Sequence, residues 1–220
     1  MLRFLVLLGF FLLGCSTPNP AVADAGPADA PGDTRTDCAA GFLGDRTKDP
    51  QLEVRAIDDD GNDRPLAEMG DVALTLPPQG GRVTFVGVRA TNVDGCGVQL
   101  TGAIRDLRSR QVRLDARTVN LNATADGWGT SSTGAPGLAV ALANYSNIPM
   151  CPNQWSETNV FDTTYELEVT LKERSGRMTT RTMKVIPRCS EPGVREECLC
   201  ICKVGYVLGQ KCAADAGTDG

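Results

Sequence analysis

The feature that most constrains the fold is a series of short segments in which apolar and polar residues alternate. They run from about residue 52 to residue 186, and clusters of Gly, Pro, Asn and Asp separate them. Alternation places successive side chains on opposite faces of a β-strand, and no segment keeps a helical apolar stripe for three turns. The pattern therefore predicts an all-β fold, a β-sandwich of eight or nine short strands. The apolar positions that define these strands are Leu52, Val54 and Ala56; Val72, Leu74 and Leu76; residues 82–90; Val98, Leu100 and Ile104; Val112 and Leu114; Val119 and Leu121; Leu138, Val140 and Leu142; Tyr165, Leu167, Val169 and Leu171; and Met183 and Val185.

The first fifteen residues have the organisation of an export signal. Arg3 supplies one positive charge, and residues 4–13 form an apolar run that only Gly9 interrupts. A membrane-spanning helix needs about twenty apolar residues, so a run of about ten predicts a cleaved secretory signal. Two cleavage points are compatible with the sequence: one before Cys15, and one after the small residues Ala21-Val22-Ala23.

The tetrapeptide Leu12-Leu13-Gly14-Cys15 resembles the lipobox of bacterial lipoprotein precursors. In that family the signal is removed before the cysteine, and the cysteine carries the lipid. The resemblance implies a signal peptide over residues 1–14 and a lipid-modified Cys15 that anchors the mature chain in the membrane. Ser16 stands where an aspartate favours inner-membrane retention in this family, so the resemblance implies the outer membrane.

The segments at either end of the mature chain have too few apolar residues to form a core. Residues 16–37 consist almost wholly of Ser, Thr, Pro, Asn, Ala, Asp and Gly, and residues 213–220 have a similar composition. Such segments cannot bury enough surface to offset the entropy lost on ordering. We therefore expect a disordered linker over residues 15–37, a β-sandwich over 38–188, a cysteine-rich extension over 189–212 and a disordered tail.

One segment resembles the last hairpin of an immunoglobulin-like domain. It begins with Asp162-Thr163-Thr164-Tyr165, continues through alternating apolar residues to a turn at Arg174-Ser175-Gly176, and ends in a strand that reaches Ile186. The resemblance implies an immunoglobulin-like β-sandwich in which the Tyr165 hydroxyl bonds back to the chain just upstream. No tryptophan occupies an evident central strand, so the resemblance is to the architecture and not to an antibody domain.

Eight cysteines besides Cys15 predict four disulfides. An even count in an exported chain is typical of a disulfide framework, because oxidising compartments let such bonds persist. The alternative is a metal site at Cys198, Cys200 and Cys202, although zinc sites usually use wider spacing and the chain has no histidine. The eight are Cys38, Cys96, Cys151, Cys189, Cys198, Cys200, Cys202 and Cys212.

The sequence from Cys200 to Cys212, with Gly205-Tyr206 between them, resembles the closing half of an EGF-like module. In that family the last two cysteines pair, which implies a Cys202–Cys212 bond. Cys96 and Cys151 fall in predicted loops of the sandwich, and we expect a bond between them. The other two bonds would then join Cys38, Cys189, Cys198 and Cys200 in an order that spacing does not decide.

Composition bears on function in two ways. Removal of residues 1–14 takes away Arg3 and no acid, so 21 basic and 27 acidic residues leave a net charge near −6. Since nucleic-acid affinity comes mainly from Lys and Arg, we expect no nucleic-acid partner. The absence of histidine removes the commonest general base, and we expect no catalytic residues and no enzyme activity.

An acidic turn is the candidate metal site. Residues 58–63 gather oxygen atoms around Gly61, and Asp58, Asp60 and Asn62 are candidate calcium ligands. The spacing does not match the twelve-residue EF-hand loop, because no glutamate stands at its closing position. Ordinary turn chemistry accounts for the same residues, so calcium is the alternative to a protein without a cofactor.

Two further clusters suggest binding surfaces. Trp128, Trp155 and Tyr145 could together form an aromatic platform for a sugar or a peptide. Five arginines either bind an anionic partner or form a solvated strand face, in which Val112 and Leu114 would point inward. The five are Arg105, Arg108, Arg110, Arg113 and Arg117.

The sequence therefore predicts a lipid-anchored protein of the cell envelope that acts as a non-catalytic binding or structural module. Its partner would be an envelope protein or glycan, and a carbohydrate-binding module or a hydrolase without histidine are the alternatives. We expect the contact surface in loops around residues 58–63, 127–136 and 146–158.

Overall fold

The structure is a computed structural model that describes residues 38–134 and 137–212. The predicted signal peptide, the Cys15 lipidation site, the linker over residues 15–37 and the tail over 213–220 lie outside the described residues. The described part contains thirteen strands and two short helices. These are β1 (Phe42–Leu43), β2 (Gln51–Ile57), β3 (Asp63–Pro65), β4 (Gly70–Ala73), β5 (Arg82–Thr91), β6 (Val93–Asp94), β7 (Val98–Asp106), β8 (Val112–Val119), β9 (Asn122–Ala123), β10 (Gly129–Thr130), α1 (Leu138–Asn144), β11 (Ser146–Cys151), β12 (Tyr165–Lys172), β13 (Met178–Arg188) and α2 (Arg195–Ile201).

The strands form two large sheets and one small one. Sheet I has six strands in the order β3-β2-β5-β10-β9, with β11 also paired to β5, and sheet II has five in the order β4-β13-β12-β7-β8. Strands β1 and β6 form the small sheet. Every pairing is antiparallel except that of β13 with β4. The prediction of an all-β fold is confirmed.

The two large sheets share one hydrophobic core. Val86, Val88 and Ala90 of β5 belong to the same buried cluster as Leu100 of β7 and Val169 of β12. Along β12 the even-numbered residues are more exposed and the odd-numbered residues are buried, which is the alternation expected from the sequence.

The segment with Leu138, Val140 and Leu142 is a helix and not the predicted strand. Leu138, Ala141, Leu142 and Tyr145 recur at helical spacing, and they pack with Phe85 in a second hydrophobic cluster. Leu138 and Leu142 are four residues apart and also fit one face of a two-turn helix, because residues three and four apart lie on the same face. Packing of this segment on the outer face of β5 favours the helix over the strand.

Strand β8 presents the opposite face to the interior from the one predicted. Leu114 is 58% exposed, whereas the polar residues between the apolar ones are half-buried. Asp115 accepts a hydrogen bond from the Asn147 amide at 2.8 Å, and Arg117 donates to the Leu142 carbonyl at 2.7 Å. The polar side chains of this edge strand thus contact β11 and the end of α1, and Arg113 lies 5.7 Å from the centre of the Trp155 ring.

All eight cysteines form disulfides, but two pairings differ from those expected. The bonds are Cys38–Cys96, Cys151–Cys202, Cys189–Cys198 and Cys200–Cys212. The expected Cys96–Cys151 bond is wrong, because Cys38 lies beside Cys96 and Cys202 of the cysteine-rich extension lies beside Cys151. The Cys202–Cys212 bond implied by the EGF-like resemblance is also wrong. Four disulfides indicate an oxidising environment outside the cytoplasm.

The cysteine-rich extension packs directly on the sandwich. Cys198 and Ile201 of α2 belong to the main buried cluster. The Arg82 side chain, which is fully buried, donates to Glu191 at 2.8 Å and also pairs with Glu197. Apolar contacts and a buried ion pair therefore hold the extension in addition to its disulfides. In the described residues no helix is long and apolar enough to cross a membrane.

Candidate functional site

The candidate site lies on the outer face of sheet I, where β5 crosses the centre of the sheet. Helix α1 covers the first part of this face, and Val83 and Phe85 pack beneath it with Tyr145. Gly87 comes next, at the point where the covering ends. A Cβ atom on Gly87 would lie 2.4 Å from Cε1 of Tyr145, so only glycine lets the Tyr145 ring reach the sheet.

Beyond Gly87 the outer face opens into a groove of about 440 Å³. Its floor comes from charged residues of the central strands, and its walls come from hydroxyl and amide residues of β9, β10 and the following loop. We call this the polar groove. It is lined by Arg55, Asp63, Arg89, Asn122, Ala123, Thr124, Thr130, Ser132, Thr133 and Gly134.

An ion pair lies on one side of the polar groove. Arg55 Nε donates to Asp63 Oδ2 at 2.5 Å, and the Arg55 side chain also donates to the Asp63 carbonyl at 3.3 Å. Both side chains are only about one-sixth exposed, at 16% and 14%. The second carboxylate oxygen, Asp63 Oδ1, is buried, and the Asp63 carboxylate interacts with the Tyr145 hydroxyl.

A second arginine forms the other side of the floor. Arg89 donates to Glu53 at 2.9 Å and to Asp126, and its guanidinium lies 4.4 Å from the centre of the Trp128 ring. The Thr124 hydroxyl holds the pKa of Asp126 below its usual range, and the Trp128 amide and Arg89 lower it further. Each arginine of the groove thus faces at least one carboxylate, so the groove carries little net charge.

Hydroxyl and amide groups form the wall. Asn122 donates to the Ser132 carbonyl at 3.0 Å, and the Thr130 hydroxyl accepts from the Ser132 amide at 3.2 Å. Hydroxyls can donate and accept at once, which suits ligands that do the same. Burial raises the pKa of the Tyr145 phenol well above its usual range, and the Asp63 carboxylate raises it further. Tyr145 therefore stays protonated and does not act as a base.

The lining carboxylate of the polar groove and the serine beside it both have partners in the protein. Asp63 is the only carboxylate among its lining residues, so no carboxylate pair is present there. Ser131 beside the groove is buried, and its hydroxyl bonds both the amide and the carbonyl of Val88, at 2.7 Å and 3.0 Å. This serine holds the loop on β5 and is not a free nucleophile.

The predicted aromatic platform does not form. Trp155 is 3% exposed, donates from Nε1 to the Met150 carbonyl at 2.9 Å and packs against the Tyr165 ring. Tyr145 is 1% exposed beneath α1. Trp128 alone is half-buried at the surface, and it lies at the rim of the polar groove under Arg89. Of the three predicted residues, Trp128 therefore lies near the surface beside Arg89, and Trp155 and Tyr145 lie in the interior.

The acidic turn is closed by its own backbone. Asp58 Oδ1 accepts from the amides of Asp60 at 3.1 Å and Asn62 at 2.9 Å, and the Asp58 amide donates to the Asn62 carbonyl. This is turn chemistry, and calcium binding at these three residues stays a prediction.

The cysteines do not form a metal site. Among the described residues, the sulfurs of Cys189, Cys198 and Cys202 come within 4.8 Å of one another. Each is bonded to another sulfur and lacks the thiolate that a metal needs.

Two of the three predicted contact loops meet at the polar groove. Asp63, from the loop around residues 58–63, lines it together with Thr130, Ser132, Thr133 and Gly134 from the loop around residues 127–136. Residues 146–151, which we expected in a loop, form β11 and are mostly buried. Residues 122–124 also line the groove, and the sequence did not indicate them. Comparison of the chain with protein-family models, curated proteins and solved structures finds no match in any of the three.

Proposed function

We propose that the protein is an exported, lipid-anchored module of the cell envelope that binds a ligand in the polar groove and performs no catalysis. The lipobox-like sequence at Cys15 supports the anchor, and the four disulfides support maturation outside the cytoplasm. The fold we assign is an immunoglobulin-like β-sandwich. The core shared by the two sheets and the Tyr165 hydroxyl, which donates to the Asn159 carbonyl at 3.4 Å, support this assignment.

The observation that carries the proposed function is the chemistry of the polar groove. It combines hydroxyl groups and an amide with two arginines that are each paired to a carboxylate. Charge on the floor is balanced, so the groove does not select strongly for an anion or a cation. A ligand with many hydroxyl groups supplies both donors and acceptors, and we therefore propose an envelope glycan as the ligand.

The proposal is tested by calorimetry of the full chain with soluble fragments of peptidoglycan and of neutral surface polysaccharide. Thr130→Val removes one wall hydroxyl and keeps the side-chain shape, so it is expected to weaken binding about tenfold. Thr180→Val is the matched control, because Thr180 is exposed on β13 of sheet II, outside the groove. Its affinity should equal that of the parent.

Two results would reject the proposed ligand. One is the absence of saturable heat with every glycan fragment. The other is equal weakening by Thr130→Val and Thr180→Val, since this would place the contact outside the polar groove. Catalysis is tested in the same samples, because a hydrolase would shorten the fragments and mass spectrometry would detect the products.

A further inference from the structure

The loop that ends the cysteine-rich extension has an apolar apex. Leu208 and Val207 are 69% and 68% exposed, and no other large apolar residue of the described part is as exposed. Val204, on the same loop, is 50% exposed. Adjacent apolar side chains at such exposure are costly in water unless another surface covers them, and they mark interaction sites.

The apex is held in a fixed shape. Cys200–Cys212 closes the loop, and Cys151–Cys202 fastens it to β11. Within the loop, the Gln210 amide donates to the Val207 carbonyl at 2.9 Å, and the Tyr206 hydroxyl donates to the Gln210 carbonyl at 3.2 Å. The apolar side chains are therefore presented outward by a preorganised turn, and little ordering entropy is lost when they are covered.

The charged residues of the loop itself have one sign. Residues 198–212 contain Lys203 and Lys211 and no acidic residue, although the whole chain has a net charge of −5. The two lysines flank the apolar residues, with long stems that can lie along an apolar surface while the ammonium groups stay in water. Apolar residues flanked by lysines match the two layers of a bilayer surface, acyl chains and anionic headgroups.

We propose that the loop over residues 203–211 inserts its apex, Val207 and Leu208, into the surface of a bilayer that contains anionic lipids. Lys203 and Lys211 then lie at the level of the headgroup phosphates. The insertion is shallow, because only one turn projects from the fold and its backbone groups are bonded within the loop.

The experiment measures how deeply the side chain at one position enters the bilayer. The result therefore does not depend on whether the chain is lipid-modified. The full chain carrying Leu208→Trp is mixed with phosphatidylcholine vesicles, with or without phosphatidylglycerol, whose acyl chains are brominated to quench nearby tryptophan. Met178→Trp is the matched control, because Met178 is 58% exposed on β13 and far from the loop in sequence. The parent chain gives the background from its two natural tryptophans.

We expect strong quenching and a blue shift for Leu208→Trp with phosphatidylglycerol vesicles, and neither change for Met178→Trp. Adding Lys203→Gln and Lys211→Gln is expected to lower the partition constant of the apex about thirtyfold. Equal quenching at positions 208 and 178 would overturn the proposal. Equal quenching of Leu208→Trp without phosphatidylglycerol would overturn the role of anionic headgroups. Neither result depends on glycan binding, which calorimetry tests separately.

Discussion

Arg82 offers the most direct test of how the cysteine-rich extension is held. Its side chain is 0% exposed, and it pairs with Glu191 and Glu197, whose side chains are 26% and 23% exposed. It also donates to the Val194 carbonyl at 3.0 Å, and Glu191 accepts from the Leu76 amide at 3.0 Å. Arg82→Met keeps most of the side-chain volume and leaves both carboxylates without their cation.

The expected loss follows from these exposures. Removal of one partner from a buried ion pair costs about 3 to 5 kcal/mol. Water reaches about a quarter of each glutamate side chain, which places the cost at the lower end. Arg82 Nε is itself buried without a hydrogen bond, and its removal returns about 1 kcal/mol. We therefore expect a net loss of about 2 to 3 kcal/mol in the free energy of unfolding.

The assay is urea unfolding with the disulfides intact, followed by tryptophan fluorescence and by circular dichroism. With an m value of about 2 kcal/mol per molar urea, the midpoint should fall by about 1 to 1.5 M. The triple variant Arg82→Met, Glu191→Gln, Glu197→Gln should recover at least half of the loss, because no unpaired charge is left. A loss below about 1 kcal/mol, or a triple variant less stable than Arg82→Met, would refute this reasoning.

Three further variants test separate parts of the fold. Gly87→Ala places a methyl group against the Tyr145 ring, so it should cost about 1 to 3 kcal/mol in a thermal melt. Leu114→Ser should change the free energy of unfolding by less than about 0.5 kcal/mol, because Leu114 faces solvent. A loss above about 2 kcal/mol would indicate instead that Leu114 points inward, as expected from the sequence. Burial alone would raise the pKa of Asp106, but the Ser156 hydroxyl and the amides of Arg108 and Ser109 lower it overall. The ionised Asp106 carboxylate therefore stabilises the fold at pH values above its unfolded pKa of about 3.9, and this contribution is lost as the pH falls through its lower folded pKa. In Asp106→Asn, which has no such carboxylate, the free energy of unfolding should fall less steeply below about pH 4.

The long central strands could be predicted because local and tertiary preferences agree there. In β12 the odd-numbered apolar residues face the common core, so periodicity and burial give the same answer. In β8 they disagree. Val112 and Leu114 alternate as a buried face would, but the strand lies at the edge of sheet II and its other face contacts β11. The contacts of Asp115 and Arg117 fix its orientation, and these partners are far away in sequence.

The candidate site was harder to predict because its residues come from four separated segments. Arg55 and Asp63 lie on β2 and β3, Arg89 lies on β5, and Thr130 lies on β10. None of these segments carries a recognisable binding motif, and threonine in a short strand is common on protein surfaces that bind nothing. The disulfide pairing was equally undetermined, because the number of cysteines fixes how many bonds form and the fold decides which cysteines meet.

The proposed ligand of the polar groove is an envelope glycan. The most direct test is a titration of the isotope-labelled full chain with peptidoglycan and neutral polysaccharide fragments, monitored by backbone amide chemical shifts. We expect saturable shifts at residues 122–124 and 130–134 and at the Arg55 and Arg89 amides, with the Thr180 and Leu208 amides unchanged. Shifts confined to sheet II or to the loop over residues 203–211, or no shift with any fragment, would contradict it.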